Sequence, residues 1–182
     1  MNLFLGLRRN KYRHVYGTTK EDEIYTGADI SRSAWDTNKL TVNYKYVGFL
    51  TSSRRCNFSI FSVDDFREVD SIPIPRGHQG EVLDIDLSPF ILNLCATSSN
   101  DCTIRLWNIG CDFDDNISIQ SSKVFQGHKR KVGSVKFHPT APDILVSSSI
   151  DKTVKIWDIE NGISMYSIDT PDFVSSIDWN YG

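Results

Sequence analysis

The chain has 182 residues, of which 40% are hydrophobic and 12% aromatic, and its formal net charge is -3. That apolar content supports a packed core and excludes a disordered chain, and the length suits one large domain. The small negative charge gives the whole molecule no attraction to nucleic acid or an acidic membrane, so no nucleic-acid partner is expected and a polyanion could bind only at a local patch.

Residues 1–27 read as an amino-terminal arm, in which KYRHVYG at 11–17 alternates large and basic side chains as a half-buried strand does. The opening stretch Met1 to Leu7 is too short for a secretory core, and no run approaches the roughly 20 apolar residues of a membrane span. Cys56, Cys95, Cys102 and Cys111 make neither a C-x-x-C pair nor an even ladder, so they read as reduced thiols. A cytoplasmic location is expected.

Residues 28–75 hold strand-like runs at 29–35, 45–51, 57–63 and 68–74, the spacing of an antiparallel meander. This is a degenerate first unit, and its Trp35 reads as ordinary strand packing. In residues 76–126, Val82, Ile85 and Leu87 mark strand a, 94–98 strand b, 103–107 strand c and the stretch near 123–126 strand d, with a polar acidic loop at 111–116. Residues 127–170 repeat the plan with Val132, Val135 and Phe137, then 144–148, 153–157 and 163–168. In residues 171–182, Val174, Ile177 and Trp179 have the spacing of Val82, Ile85 and Leu87, which predicts the first strand of a fourth unit.

The second and third units are copies. Gly77-His78, Thr97, Asp101, Thr103 and Trp107 recur fifty residues later as Gly127-His128, Ser147, Asp151, Thr153 and Trp157. An internal repeat settles fold class before single residues do. In a four-stranded antiparallel unit the d–a and b–c connections share one end, so each His meets its Asp across twenty-three residues. The donor inventory then predicts a buried relay in which the indole N–H reaches the hydroxyl, the hydroxyl reaches one ring nitrogen, and the other ring N–H reaches the carboxylate. His, Ser and Asp together also spell a hydrolase triad, but a nucleophile stands alone and exposed beside an oxyanion hole, whereas this set occurs twice and exchanges Ser for Thr. The structural reading is preferred. His78 and His128 sit in different units without clustered ligands, and no glycine-rich phosphate loop is present, so no metal or cofactor is expected.

Gly-His, Ser or Thr, Asp and Trp-Asp at this spacing resemble the WD-repeat β-propeller, built from four-stranded blades. More narrowly, 11–17, SRSAWD at 31–36, the stretch from Gly77 to Asp86, Gly127-His128 through Gly133, and FHPTAP at 137–142 resemble the amino-terminal part of the coronins. The resemblance implies an all-β, incomplete propeller of about three blades with single flanking strands. Seven blades of roughly 40–45 residues would need about 300 residues, so a fragment of a longer protein is expected.

It further implies a non-catalytic, cytoskeleton-associated regulator that binds filamentous actin alongside actin-assembly or severing factors. Basic residues of the first blade are implicated in that contact in the family. Arg32 matches one such position, while Asp29 stands where the family has arginine. The remaining candidates are Lys11, Arg13, Lys129, Arg130 and Lys131, and phosphoinositide head groups would use the same kind of patch. The competing reading is a WD-repeat adaptor for a complex without actin.

Overall fold

The computed structural model describes residues 30–31, 37–52, 58–63, 75–111 and 117–180. Among them the chain forms eleven strands and no helix: β1 Leu40–Val42, β2 Tyr46–Leu50, β3 Phe58–Ser62, β4 Val82–Leu87, β5 Leu94–Ser99, β6 Ile104–Cys111, β7 Ile117–Phe125, β8 Val132–Phe137, β9 Ile144–Ser149, β10 Thr153–Asp158 and β11 Ile163–Asp169. They make three antiparallel sheets, ordered β1-β2-β3, β4-β5-β6-β7 and β8-β9-β10-β11, each a meander of sequence neighbours.

The sheets pack face to face. Tyr46, Leu50, Phe58 and Ile60 of the first meet Val82, Ile85, Cys95 and Trp107 of the second. Leu94, Ala96, Ile104, Leu106 and Phe125 of the second meet Val132, Val135, Leu145 and Trp157 of the third. A strand with a sheet against each of its faces has no polar side, which is why β5 is buried at all six positions. Its Cys95, Ala96, Thr97, Ser98 and Ser99 are small enough to let both neighbours approach. The outermost β11 is exposed throughout. Each signature tryptophan also seats on a phenylalanine of the preceding sheet, Trp107 with Phe58 at 5.1 Å between ring centroids and Trp157 with Phe125 at 5.5 Å.

The inner strands β1, β4 and β8 belong to different sheets and share no backbone ladder. Side chains supply the missing bonds. Asp84 Oδ2 accepts from Ser134 Oγ at 2.9 Å and from the Val135 N–H at 3.0 Å, and Asp86 Oδ2 accepts from the Phe137 N–H at 2.8 Å. On the other flank, Thr41 donates to Asp86 and accepts from the Leu87 N–H, while Thr37 donates to the Leu83 carbonyl. At the periphery, Lys123 Nζ on β7 donates to the carbonyls of Ile159 and Glu160, at 2.8 and 2.6 Å, clasping the β10–β11 turn.

Several expected elements differ. Of the run at 29–35 only residues 30 and 31 are described, with an isolated bridge from Ile30 to Thr51, and β2 pairs with Leu40–Val42. β6 and β7 extend beyond the expected limits, because Ile109, Ile117 and Ile119 continue the contact with the first sheet. The stretch holding Val174, Ile177 and Trp179 has no ladder, since strand a draws its ladder from its own strand b and no strand follows it among the described residues. It is held by side chains: Ser148 Oγ donates to the Val174 carbonyl, Lys136 pairs with Asp178 at 3.1 Å, and Trp179 packs on His138. The expected strands at 11–17 and 68–74, and Trp35, lie outside the described residues.

Candidate functional site

The repeat residues converge at one end of the second and third sheets. In the second, Trp107 Nε1 donates to Thr97 Oγ1 at 2.7 Å, Thr97 Oγ1 lies 2.8 Å from His78 Nε2, and His78 Nδ1 lies 2.9 Å from Asp101 Oδ2. In the third, the same steps run from Trp157 through Ser147 and His128 to Asp151 at 2.8, 2.8 and 3.0 Å. The indole can only donate, so each hydroxyl accepts from it and passes its own proton toward Nε2. The ring is then the neutral tautomer with its proton on Nδ1, directed at the carboxylate.

Further donors complete each carboxylate. Thr153 gives its N–H and its hydroxyl to Asp151 Oδ1 at 3.0 and 2.6 Å, and the Lys129 N–H reaches Oδ2 at 2.8 Å. Thr103 and the Gln79 N–H do the same for Asp101. Thr103 and Thr153 are visible in the repeat, but nothing in the spacing alone gives them this task. The glycine before each histidine has a steric cause. A Cβ at Gly77 would lie 2.7 Å from the Trp107 ring, and one at Gly127 would lie 3.1 Å from the Trp157 ring.

Titration follows from burial and bonding. Burial lowers the pKa of both His78 and His128, against the raising influence of their aspartates, so both are neutral at pH 7. Burial by itself would raise the Asp151 carboxyl, but the bonds from Thr153, Lys129 and His128 outweigh it and hold the group at about 2. Asp101 is likewise held low, with Thr103, His78 and Gln79 as its donors.

This arrangement orients a histidine and buries the hydroxyl beside it. Thr97 and Ser147 are 0% exposed, and each hydroxyl oxygen is occupied by an indole N–H, so no substrate reaches a nucleophile there. Among the described residues, no three His, Cys, Asp or Glu side chains gather as metal ligands would.

Two carboxylates escape a pattern search. Burial raises Asp84 to about 7, against the Val135, Ser134 and Ile85 bonds, and raises Asp86 to about 6. In sequence, Asp84 and Asp86 alternate with apolar residues and look like a solvated strand face; in the structure that face is the joint with β8.

The basic candidates separate. Lys129 and Arg130 are exposed on the connection into β8, and Lys131 is half-buried beside them. The corresponding connection into β4 carries Gln79, Gly80 and Glu81, so the cations are no requirement of the turn. Lys11, Arg13, Asp29 and Arg32 lie outside the described residues.

Comparison with known proteins follows the same lines. "Domain of unknown function (DUF1899)" matches residues 6–67, and "WD domain, G-beta repeat" matches 70–108 and 119–158, stretches that contain one complete histidine network each. Coronin-A of Dictyostelium discoideum is 35% identical over 105 residues, which are 57% of this chain and 24% of that protein. A coronin-like protein of Saccharomyces cerevisiae (strain ATCC 204508 / S288c) is 36% identical over 106 residues, 57% of this chain and 16% of that protein. The chain thus spans a quarter or less of the curated relatives it matches. In structure, it resembles the WD40 domain of a Toxoplasma gondii coronin, with a TM-score of 0.71 at 21% identity, covering 80% of this chain and 38% of that one. The fold is the WD-repeat β-propeller, and the three sheets are successive blades.

Proposed function

Because the chain belongs to the coronin family of WD-repeat propellers, we propose that it binds filamentous actin as a non-catalytic interaction platform at the cytoskeleton. Actin-assembly or severing factors are further partners in this reading. The observation that supports it is the occupation of both His-Asp sets by internal hydrogen bonds, which leaves surface, not chemistry, as the source of function. The surface with the least structural excuse is Lys129-Arg130, exposed in the third blade where the second makes the same connection without a lysine or arginine. A cationic loop suits an acidic filament face and would add association rate and orientation more than raw affinity. Lys11, Arg13 and Arg32 are further candidate contacts in this reading, and Asp29 carries the opposite charge.

Cosedimentation of the full chain with actin filaments tests the proposal. Lys129→Glu with Arg130→Glu weakens binding at least about tenfold, Arg32→Asp weakens it, and Asp29→Arg strengthens it. A folded chain that stays in the supernatant at every filament concentration overturns the actin assignment and leaves an adaptor without actin. Capture by phosphoinositide vesicles that the same double substitution abolishes would place a lipid headgroup on this loop.

A further inference from the structure

The turn that joins β10 to β11 carries a chemistry that neither the histidine networks nor the cationic loop uses. Asn161 there precedes Gly162, the one place in the 182 residues where a glycine follows an asparagine. Glu160, Asn161 and Gly162 are all exposed to water. Fifty residues earlier the sequence reads Cys111-Asp112, so the pair is no part of the repeat.

An asparagine followed by glycine can modify itself. The Gly162 nitrogen attacks the side-chain carbonyl carbon of Asn161; a C–N bond forms, the bond from that carbon to Nδ2 breaks, and Nδ2 leaves as ammonia with the Gly162 amide proton. Water then opens the five-membered imide at either of its carbonyls, and the chain continues through an aspartate or an isoaspartate. No electrons change hands and no second reactant besides water is needed. Glycine favours the attack because no Cβ screens its nitrogen, and the space around Gly162 is open, since a Cβ built there meets nothing within 4 Å.

The fold restrains both reacting groups through a single residue. The Gly162 N–H donates to the Asp158 carbonyl at 2.9 Å. Asn161 donates from its backbone N–H to Asp158 Oδ1 at 2.9 Å and from Nδ2 to Oδ2 at 2.8 Å. These two bonds lower the Asp158 pKa, so the carboxylate that receives them is ionised at neutral pH. Gly162 closes the turn at φ +71°, a left-handed conformation that glycine adopts without strain. A nitrogen whose hydrogen is engaged is a poor nucleophile, and a carboxamide tied to Asp158 is not free to rotate onto it.

We propose that Asn161-Gly162 is a site of spontaneous deamidation, with water as the reactant, and that Asp158 is the latch that sets its rate in the folded chain. The position has a neighbour to disturb. Lys123 of the second blade grips the carbonyls of Ile159 and Glu160, and an isoaspartate lengthens the main chain beside that grip by a methylene. Nothing in this depends on actin binding.

Peptide mapping by mass spectrometry tests it, with the full chain incubated at about pH 8 both folded and unfolded in urea. The unfolded chain accumulates aspartate and isoaspartate at position 161, and the folded chain does so at least about tenfold more slowly, because the attack waits for the turn's hydrogen bonds to open. Asp158→Ala removes both side-chain bonds and speeds the folded reaction about tenfold while the circular dichroism spectrum is unchanged. Asp158→Asn keeps an acceptor for the Asn161 N–H and speeds it less, and it serves alone if Asp158→Ala unfolds. Asn161→Gln abolishes the product. Equal rates in the folded and unfolded native chain overturn the latch, as does an unchanged rate in both Asp158 variants. Absence of product at position 161 from the folded Asp158 variants, over a time in which the unfolded chain reacts, overturns the site.

Discussion

Asp151 accepts four donors, the His128 ring N–H, the Lys129 and Thr153 backbone N–H groups and the Thr153 hydroxyl, so its ionised form is tied to the folded chain. The stability it contributes is present above the unfolded carboxyl value of 3.8 and lost as pH falls through about 2. The histidines act in the same direction in a higher window. Their folded pKa values lie below 6.5, so below pH 6.5 the unfolded chain takes up protons that the folded chain refuses, and stability falls. Urea midpoints measured downward from pH 7 test this: the fall below 6.5 shrinks in a His78→Gln, His128→Gln double variant. Ser147→Ala strips the acceptor from Trp157 and the hydroxyl from His128, with an expected loss of about 1–3 kcal/mol in the same assay. Gly77→Ala drives a methyl against the buried Trp107 ring and costs about 1–3 kcal/mol by overpacking, where a surface Gly→Ala would be neutral or stabilising.

Among the elements, the two regular blades are legible because His, hydroxyl, Asp and Trp recur at a fixed interval around runs of alternating hydrophobicity. β1 is not legible. It has three residues, and Leu40 and Val42 are 63% and 65% exposed, so no half-buried alternation marks it. The joint between β4 and β8 is hidden for a different reason, since a buried carboxylate and a solvated one have the same letter. Its titration runs opposite to that of the histidines. Asp84 titrates at about 7 in the folded chain and 3.8 unfolded, so its favourable contribution is complete below 3.8 and is lost as pH rises through 7. Compared with Asp84→Asn, the native chain therefore loses stability between pH 5 and pH 8, which paired urea melts at those two values read directly.

For the molecule as a whole, the second sheet carries two apolar clusters, one shared with the first sheet and the other with the third. Coupling of that kind predicts that Ser147→Ala shifts one common transition seen by tryptophan fluorescence and far-ultraviolet dichroism alike; two separated transitions would show blades that melt independently. The fold was readable at this scale from two copies of one unit, because a repeat multiplies a weak signal. The interaction surface was not, because a charged loop and a binding loop share one composition. No helix among the described residues is long and apolar enough to cross a membrane.

The seating of each tryptophan on a phenylalanine of the blade before it has a consequence for synthesis. Phe58 and Phe125 leave the ribosome before Trp107 and Trp157, so each ring arrives to find its seat already made. Assembly can then proceed like courses of masonry, each laid on the one before it.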